Sequence, residues 1–438
     1  MKIIRPPHSS VMKIIGTQNV DENMCYHMST FAITELYDDG ILIYNTFTGG
    51  MVFCEKDDKC SSNCNAHLIC NWFFVSEDVD EIAMVDECRE AMKQRLDFSR
   101  IITYTIFPTT DCNARCYYCF EQKRPKLYMN KNTAIDVGKY IASHCDGNTV
   151  VIRWFGGEPL CNISAIDTIC SFLKTNGVSF QSKMASNGFL FNEAMIKKSI
   201  SLWNLTCVQV TIDGTEKTYN NIKKYHDCKD ASAFHRVLKN IQLLLNKGIE
   251  VIIRLNIDTD IIDEQMLLIQ FINDYYGSNK LLSVYSHPLT EALFDNVEER
   301  RRILFEKQKE LRSKILEYGY SKPATLPQRL KISSCIADDG HSVTILPDGH
   351  IGLCEHYSEN RFIGDIYSLD LIDEVEIENI REQCTIIEEC NSCSLYPQCV
   401  RLKCCPETKY CVPEMKQLKL ANIVNSMNSQ YVSFLENY

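Results

Sequence analysis

The segment DCNARCYYCFE, residues 111–121, places three cysteines within eight positions, at the spacing Cys112-x3-Cys116-x2-Cys119. Thiolates at this spacing in one loop can face a common point. A closed tetrahedral zinc site needs a fourth ligand, and no Cys or His lies close by in sequence to supply it. A [4Fe–4S] cluster held by three thiolates instead leaves one iron open to an exchangeable ligand. The loop is therefore a candidate cluster site, with a chance grouping of cysteines or an incidental zinc site as the alternative.

A second motif, RWFGGEPL, follows a short apolar run. Gly156 and Gly157 lack a Cβ and allow a close approach of the backbone to a ligand. Glu158 supplies an anionic acceptor before the rigid Pro159. The alternative is that these four residues form only a turn.

The two motifs together carry a family resemblance. Cys112, Cys116 and Cys119, with an aromatic at Tyr118, resemble the signature of the radical S-adenosylmethionine (radical SAM) superfamily, and residues 156–159 resemble its GGEP motif. The resemblance implies that the open iron binds the amino and carboxylate groups of SAM, and that GGEP contacts the amino group. It also implies reductive cleavage of SAM to a 5′-deoxyadenosyl radical, with a flavodoxin- or ferredoxin-type electron donor.

Weaker polar signals follow later apolar runs, at Ser186, Asn187 and Asp213, and within one run at Arg254 and Asn256. By resemblance, these groups contact the ribose and carboxylate of SAM. The alternative for each is an ordinary turn or strand-end residue. A charged Arg254 inside an apolar strand needs a partner, because an unpaired buried charge is costly.

The elements that must position these residues lie between residues 101 and 290, where short β-branched runs alternate with amphipathic segments. This alternation predicts βα units and a parallel sheet. The strand candidates are residues 101–106, 149–155, 179–185, 206–212, 250–257 and 281–286. In residues 230–247 apolar side chains recur at helical spacing, and Gly248 follows as a C′ residue. The pattern predicts an α/β fold, a partial (β/α)6 TIM-like barrel with reactive groups at the C-terminal strand ends.

A second concentration of cysteines begins at Cys335, where nine cysteines occupy 77 positions. This shift in composition predicts a separate domain. A CxxC-x5-C run and a preceding Gly-x4-Cys element resemble the SPASM domain, whose cysteines bind up to two auxiliary [4Fe–4S] clusters in peptide-modifying radical SAM enzymes. The resemblance assigns one cluster to Cys390, Cys393, Cys399 and Cys411, and the other to Cys335, Cys354 and Cys404.

One departure from the SPASM pattern concerns the cysteine after the CxxC-x5-C run. The family has three residues in this gap, whereas four precede Cys404 and five precede Cys405, so Cys404 is the closer match. The second cluster also lacks a further cysteine upstream of Cys335. That site is open, or completed by Cys384 or a substrate thiol, and zinc is the alternative for paired cysteines.

The remaining segments complete the predicted organisation. Residues 1–98 contain the hairpin-like pair STFAITEL and GILIYNTF, then two helix candidates around a short strand FFV, which predicts an N-terminal α+β domain. It either grips a leader peptide by strand addition or caps the barrel. Cys54, Cys60, Cys64 and Cys70 match no metal motif and are interpreted as incidental thiols. The predicted domains are residues 1–98, 99–290 (barrel), 291–333 (helical bridge), 334–415 (SPASM) and 416–438 (C-terminal helix).

Two enzyme groups combine these features. One matures ribosomally made peptides by forming thioether or other cross-links, and the other oxidises a Cys or Ser of sulfatases to formylglycine. In the second group an Asp base follows the cysteine of the Gly-x4-Cys element, whereas here Glu355 and then His356 follow Cys354. This departure weakens the formylglycine assignment without excluding it, because a glutamate can also accept a proton, which makes Glu355 a candidate base. The sequence therefore favours a peptide maturase. A non-catalytic iron–sulfur carrier or redox sensor is the alternative of another class, and GGEP argues against it.

Composition narrows the partners and the compartment. The 438 residues carry a formal charge of −11, which disfavours nucleic acid or an anionic membrane as a partner. No apolar run is long enough for a secretory signal or a membrane span, which predicts a cytoplasmic protein. In that reducing compartment the 23 cysteines are expected to include metal ligands rather than structural disulfides.

Overall fold

The computed structural model describes residues 1–21, 23–56, 66–95, 101–226, 232–289, 297–333, 335–356, 361–368, 373–381, 388–400, 411 and 413–436. The chain divides into two compact units. The first comprises Met1–Asp97, Pro323–Cys335 and Ile380–Tyr438, and the second comprises Phe98–Lys322 and Ile336–Asn379. This grouping differs from the predicted boundaries, because it joins N-terminal and C-terminal segments in one unit and divides residues 334–415 between both.

The first unit begins with short strands that form two small antiparallel sheets. The strands are Lys2–Arg5 (β1), Tyr26–Met28 (β2), Ala32–Tyr37 (β3), Gly40–Asn45 (β4), Met51–Glu55 (β5) and Phe74–Ser76 (β6). One sheet has the order β1-β5-β4-β3, and β2 pairs with β6. The helices of this region are Ser9–Ile15 (α1), Ala66–Cys70 (α2) and Glu81–Lys93 (α3). The predicted hairpin is confirmed as β3 and β4, joined where Tyr37 pairs with Gly40.

The core of the first unit explains why its segments belong together. The C-terminal helix, Pro413–Glu436, buries apolar side chains against β4 and β5. The Tyr431 ring stacks on the Phe53 ring with centroids 4.6 Å apart. A second cluster packs Phe31 and Phe47 with Tyr396. Because the N-terminal sheet depends on C-terminal residues for its core, the two ends of the chain form one unit.

The second unit is built on a mostly parallel sheet. Its strands are Thr103–Ile106 (β7), Val150–Trp154 (β8), Phe180–Ser186 (β9), Leu205–Thr211 (β10), Glu250–Ile257 (β11), Leu282–Pro288 (β12), Ser342–Ile345 (β13), His350–Gly352 (β14) and Gly364–Asp365 (β15). The sheet order is β12-β11-β10-β9-β8-β7-β13-β14-β15, with β7 to β12 parallel to their neighbours. All six predicted strands are confirmed, with ends within two residues of prediction.

Strand β13 extends this sheet beyond the predicted barrel. It runs parallel to β7, with Ser342 opposite Thr103, and β14 and β15 add antiparallel strands. Residues 342–365 fall within the predicted cysteine-rich domain (334–415), and in the structure their strands continue the parallel sheet. The physical reason is that β7 would otherwise present an unpaired edge, which β13 covers with main-chain hydrogen bonds.

Helices separate the parallel strands, as the βα pattern predicted. They are Lys131–His144 (α4), Ile163–Thr175 (α5), Glu193–Ser201 (α6), Glu216–Lys223 (α7), Ala233–Asn246 (α8), Ile262–Tyr276 (α9) and Val297–Glu317 (α10), and a further helix, Glu374–Arg381 (α11), follows β15. The helix predicted in 230–247 is confirmed as α8. Ser232 caps its N-terminus, and Gly248 follows it with φ +78°. Within the described ranges, no helix is long and apolar enough to span a membrane.

Candidate functional site

The cysteine loop, residues 111–121, follows β7 and carries three free, half-buried thiols. The Cys119 N–H donates to the Cys116 carbonyl at 3.1 Å, and the Ala114 N–H donates to Cys112 Sγ at 3.3 Å. Burial, followed by the nearby Glu158 charge, raises the pKa of Cys112 to about 12. Burial also raises the pKa of Cys119 to about 11, with a further contribution from Cys116. A charge on Cys116 thus raises the pKa of both Cys112 and Cys119.

The cysteine loop offers three thiols, the type of donor that an iron–sulfur cluster takes from a protein. Among the described residues, no group of three or more His, Cys, Asp or Glu is arranged to hold one metal ion. In a [4Fe–4S] cluster each thiolate binds a different iron, so the sulfurs need not converge on one point. Three free thiols in one loop are the donor set for a cluster with one open iron. The assignment of Cys112, Cys116 and Cys119 as its ligands stays a prediction.

The GGEP segment follows β8 and packs directly on the backbone of the cysteine loop. The Gly157 N–H donates to the Thr109 carbonyl at 3.2 Å, and the Glu158 N–H donates to the Asp111 carbonyl at 2.9 Å. A Cβ at Gly156, where φ is +113°, would lie 2.3 Å from the Thr109 oxygen, and one at Gly157 would lie 2.2 Å from the Asp111 oxygen. The close approach that requires glycine is thus to the protein's own main chain.

The Glu158 carboxylate is fully buried and joins the ends of two strands. It accepts hydrogen bonds from Ser186 Oγ at 2.9 Å, from the Asn187 N–H at 2.8 Å and from the Leu160 N–H at 3.2 Å. Burial raises its pKa to about 7, against the opposing effect of these donors. Pro159 begins a short 3₁₀ helix behind it. Glu158 therefore holds the predicted Ser186–Asn187 pair in place, while its contact with SAM stays a prediction.

Asn187 extends this connection to the cysteine loop. Its Nδ2 donates to Asn113 Oδ1 at 2.7 Å and lies 3.8 Å from Cys112 Sγ. The segments that follow β7, β8 and β9 are consequently joined by hydrogen bonds at one edge of the sheet. This edge carries the C-terminal ends of parallel strands, where α/β barrels place reactive groups.

Asp213, at the end of β10, forms a buried ion pair beneath the cysteine loop. Lys223 Nζ lies 2.7 Å from its Oδ2, and both side chains are almost completely buried. Tyr118, located between Cys116 and Cys119, donates from its hydroxyl to the same Oδ2 at 2.6 Å. Asn256 Nδ2 donates to Oδ1 at 2.9 Å. The predicted residues Tyr118, Asp213 and Asn256 therefore form one hydrogen-bonded group.

Lys223 was missed by the sequence analysis. A signal was present, because Tyr219, Ile222 and Lys223 are buried at helical spacing on α7, which places a lysine on an apolar face. Burial alone would lower the pKa of Lys223, but the Asp213 charge, followed by Cys116, raises it well above its ordinary value. The ammonium group therefore keeps its positive charge next to the cysteine loop.

This part of the chain is similar to known proteins. The radical SAM superfamily matches residues 106–271, a range that begins at the end of β7 and includes the cysteine loop and GGEP. Residues 106–271 form a radical SAM domain. An uncharacterized protein of Methanocaldococcus jannaschii is 30% identical over 110 residues, which cover 25% of this chain and 37% of that protein. The chain thus spans little more than a third of this curated relative.

Two solved structures share the fold. The structure of anSMEcpe with bound AdoMet and Cp18Cys peptide has a TM-score of 0.57 and 16% identity, covering 75% of this chain and 99% of that chain. The structure of Streptococcus suis SuiB bound to precursor peptide SuiA has a TM-score of 0.50 and 13% identity, covering 86% of this chain and 94% of that chain. At these identities the likeness establishes the fold alone.

Arg254 of the radical SAM domain has hydrogen-bond partners, which a charged side chain in an apolar strand needs. Its Nε donates to Asn256 Oδ1 at 2.9 Å, and its Nη2 lies 3.2 Å from His287 Nδ1 on the neighbouring strand β12. Through Asn256 the guanidinium is connected to Asp213. Arg254 is therefore part of the same polar group at the strand ends, and its contact with SAM stays a prediction.

Glu355, the candidate base, lies next to the end of the cysteine loop. Arg124 donates from Nη2 to the Glu355 carbonyl at 2.8 Å and forms a buried ion pair with Glu121, with an N–O distance of 2.9 Å. The Phe120 and His356 rings are 4.6 Å apart between centroids. The residues after Cys354 are thus packed against the end of the cysteine loop, while a catalytic role for Glu355 stays a prediction.

The predicted auxiliary cysteines have different positions. Cys390, Cys393 and Cys399 lie in a segment of consecutive turns in the first unit, which we call the 390–399 loop. All three are free and partly exposed. Cys335 and Cys411 are exposed, and Cys354 is buried after β14 in the second unit. Of the incidental thiols, Cys54 is buried and Cys70 half-buried. Cys60, Cys64, Cys384, Cys404 and Cys405 lie outside the described residues.

Proposed function

We propose that this protein is a radical SAM enzyme that modifies a ribosomally made peptide or protein, forming a thioether or another cross-link. The observation that carries the proposal is the set of hydrogen bonds joining the cysteine loop, GGEP and Asn187 at the C-terminal ends of three neighbouring parallel strands. When bound there, a [4Fe–4S] cluster would supply the electron that cleaves SAM to a 5′-deoxyadenosyl radical.

The chain's own residues have distinct roles in this proposal. Cys112, Cys116 and Cys119 would hold the cluster. The main chain of residues 156–159, fixed by its contacts with Thr109 and Asp111, would bind the SAM amino group. Ser186, Asn187 and Arg254 would contact its ribose and carboxylate. Asp213 already accepts three polar contacts, so its role would be to orient Tyr118.

Two features support a peptide or protein as the substrate. The structures of similar fold, anSMEcpe and SuiB, each contain a bound peptide. The 390–399 loop and the other C-terminal cysteines would supply up to two auxiliary clusters of SPASM type, with a flavodoxin- or ferredoxin-type protein as electron donor. Formylglycine formation is a second candidate, because Glu355 follows Cys354 in the place of the base and a glutamate can also accept a proton.

The decisive experiment measures iron, sulfide and 5′-deoxyadenosine under anaerobic conditions with a strong reductant. The wild type is compared with a Cys112→Ala, Cys116→Ala, Cys119→Ala triple variant. The control is a triple variant in which Cys145, Cys170 and Cys207, buried elsewhere in the second unit, are replaced by alanine. We expect about twelve iron atoms per wild-type chain and about four fewer in the first variant. 5′-deoxyadenosine should be absent from that variant alone.

Zinc in place of iron, or no 5′-deoxyadenosine from the wild type, would contradict the proposal. The substrate is then tested by mass spectrometry of peptides encoded beside the gene, incubated with the active enzyme. A cross-linked product supports the maturase, and an aldehyde at Cys or Ser supports formylglycine formation. Transfer of hydrogen to 5′-deoxyadenosine from a small metabolite alone would contradict both.

A further inference from the structure

Arg89 of α3 is a buried arginine that reaches the 390–399 loop, and only 2% of its surface is exposed. Its Nη2 donates to the main-chain oxygens of Tyr396 at 2.6 Å and Cys399 at 3.2 Å. Its Nε donates to the Lys331 carbonyl at 3.1 Å. A buried guanidinium is costly unless it is hydrogen-bonded, so the loop and Arg89 depend on each other.

Asp86 completes this arrangement one turn earlier on α3. It accepts from Arg89 Nη1 at 3.0 Å and, with its other oxygen, from the Tyr396 hydroxyl at 2.7 Å. The guanidinium carbon also lies over the Tyr396 ring, 4.9 Å from its centroid. Arg89 therefore binds both the side chain and the main chain of Tyr396, and this leaves the 390–399 loop little freedom to rotate.

The turn between β4 and β5 holds the same loop from a second direction. Thr46 Oγ1 donates to the Ser394 carbonyl, and Gln398 Nε2 donates to the Thr46 carbonyl at 3.0 Å. The Phe31 ring stacks on Tyr396 with an interplanar angle of 14°. These contacts lie on both sides of Tyr396, between Cys393 and Cys399. The N-terminal segment consequently contacts the loop along most of its length.

We infer that the N-terminal segment is the scaffold of an auxiliary cluster site, in which Arg89 is the positioning residue for the 390–399 loop. The inference rests on the proposed assignment of Cys390, Cys393 and Cys399 to a cluster. It gives residues 1–95 a role distinct from both leader-peptide binding and capping of the barrel. The three thiols are free and lie within ten residues that form consecutive turns, and thiols from one loop are the donors that an iron–sulfur cluster takes.

The positive charge of Arg89 gives this role a measurable electrostatic consequence. Reduction potentials of iron–sulfur clusters depend on net charge and on hydrogen bonds near the sulfurs. A cation that touches the Cys399 carbonyl favours the reduced, more negative state. Removing the cation should therefore shift the auxiliary potential to a more negative value, in addition to loosening the loop. A purely structural contact would not shift the potential of the cluster that remains bound.

The test compares anaerobically reconstituted full-length variants by iron content, electron paramagnetic resonance and redox titration. Arg89→Met removes the charge and the donors, whereas Arg89→Lys keeps the charge but loses the planar fork. The matched control is Arg95→Met, which changes an exposed arginine just beyond α3. Cys390→Ala tests the premise and should lose about four iron atoms.

We expect Arg89→Met to lose iron as Cys390→Ala does, or to retain it with a more negative auxiliary potential, while still producing 5′-deoxyadenosine. Arg89→Lys, which keeps the charge, should have an auxiliary potential close to that of the wild type. If Arg89→Met does not fold, the test is decided on Arg89→Lys. If Cys390→Ala loses iron but the folded Arg89 variants keep the iron content, spectrum and potential of the wild type, the inference is overturned. Wild-type iron in Cys390→Ala would overturn the cluster assignment as well, without affecting the radical SAM site.

Discussion

Replacing Lys223 with methionine should destabilise the region around β10 and α7 by about 3 kcal/mol, because it leaves a buried carboxylate without its cation. Lys223 and Asp213 are 3% and 0% exposed and 2.7 Å apart. Breaking such a pair costs about 3–5 kcal/mol. The Tyr118 hydroxyl and Asn256 amide would still donate to Asp213, at 2.6 and 2.9 Å. These two hydrogen bonds place the expected cost at the lower end of that range.

Hydrogen exchange measured by mass spectrometry suits this prediction, because it reports local opening free energies in a protein of two units. Peptides covering β10 and α7 should show the loss in Lys223→Met. The control is Lys217→Met, an exposed lysine on the same helix. The double variant Lys223→Met, Asp213→Asn should recover part of the loss, since neither charge remains. Exchange in Lys223→Met equal to that of the control would refute the assignment of a buried, mutually dependent pair.

Two further predictions concern GGEP. The folded-state pKa of Glu158 is raised to about 7, so the folded protein binds more protons than the unfolded chain, and its stability falls as the pH rises through 7. Between pH 6 and pH 8 the unfolding free energy of the wild type, measured in urea, should fall by about 1.4 kcal/mol relative to that of Glu158→Gln. An equal difference between wild type and variant at both pH values would contradict this prediction. Gly156→Ala should reduce iron at the radical SAM site, because its Cβ would meet the Thr109 oxygen at 2.3 Å. The control is Gly177→Ala, where φ is also positive (+69°) but no atom lies within 4 Å of the added Cβ, and this variant should retain the iron. Equal loss of iron in both variants would mean that backbone strain, and not the contact with Thr109, causes the loss.

The parallel strands could be predicted because each corresponds to a continuous segment of sequence with a recognisable composition. Glu250–Ile257 matches its predicted bounds at both ends, since a strand buried on both faces appears as a continuous β-branched and apolar run. The position of β13 could not be predicted in this way. Its residues lie among the C-terminal cysteines, and pairing with β7 is a contact between distant parts of the chain that no local pattern encodes.

The candidate site shows the same division between local and distant information. The motifs around Cys112, Glu158 and Asp213 were recognisable because their residues are adjacent in sequence. The partners of these residues were not, because Lys223 occupies an ordinary amphipathic helix and the oxygen atoms that require Gly156 and Gly157 belong to another loop. The grouping of the chain into units was also hidden, since it depends on how the C-terminal helix packs on the N-terminal sheet.

The two cysteine loops are supported in the same chemical manner by unrelated parts of the chain. In each, a tyrosine lies between cysteines and donates its hydroxyl to an aspartate, which pairs with a buried cation. The groups are Tyr118, Asp213 and Lys223 in the second unit, and Tyr396, Asp86 and Arg89 in the first. A cation beside a thiolate loop stabilises the negative charge that ligation requires, and the aspartate compensates that cation when the thiols are neutral. In each loop the tyrosine is therefore held by side chains from outside the loop, which restrains the main chain between the flanking cysteines.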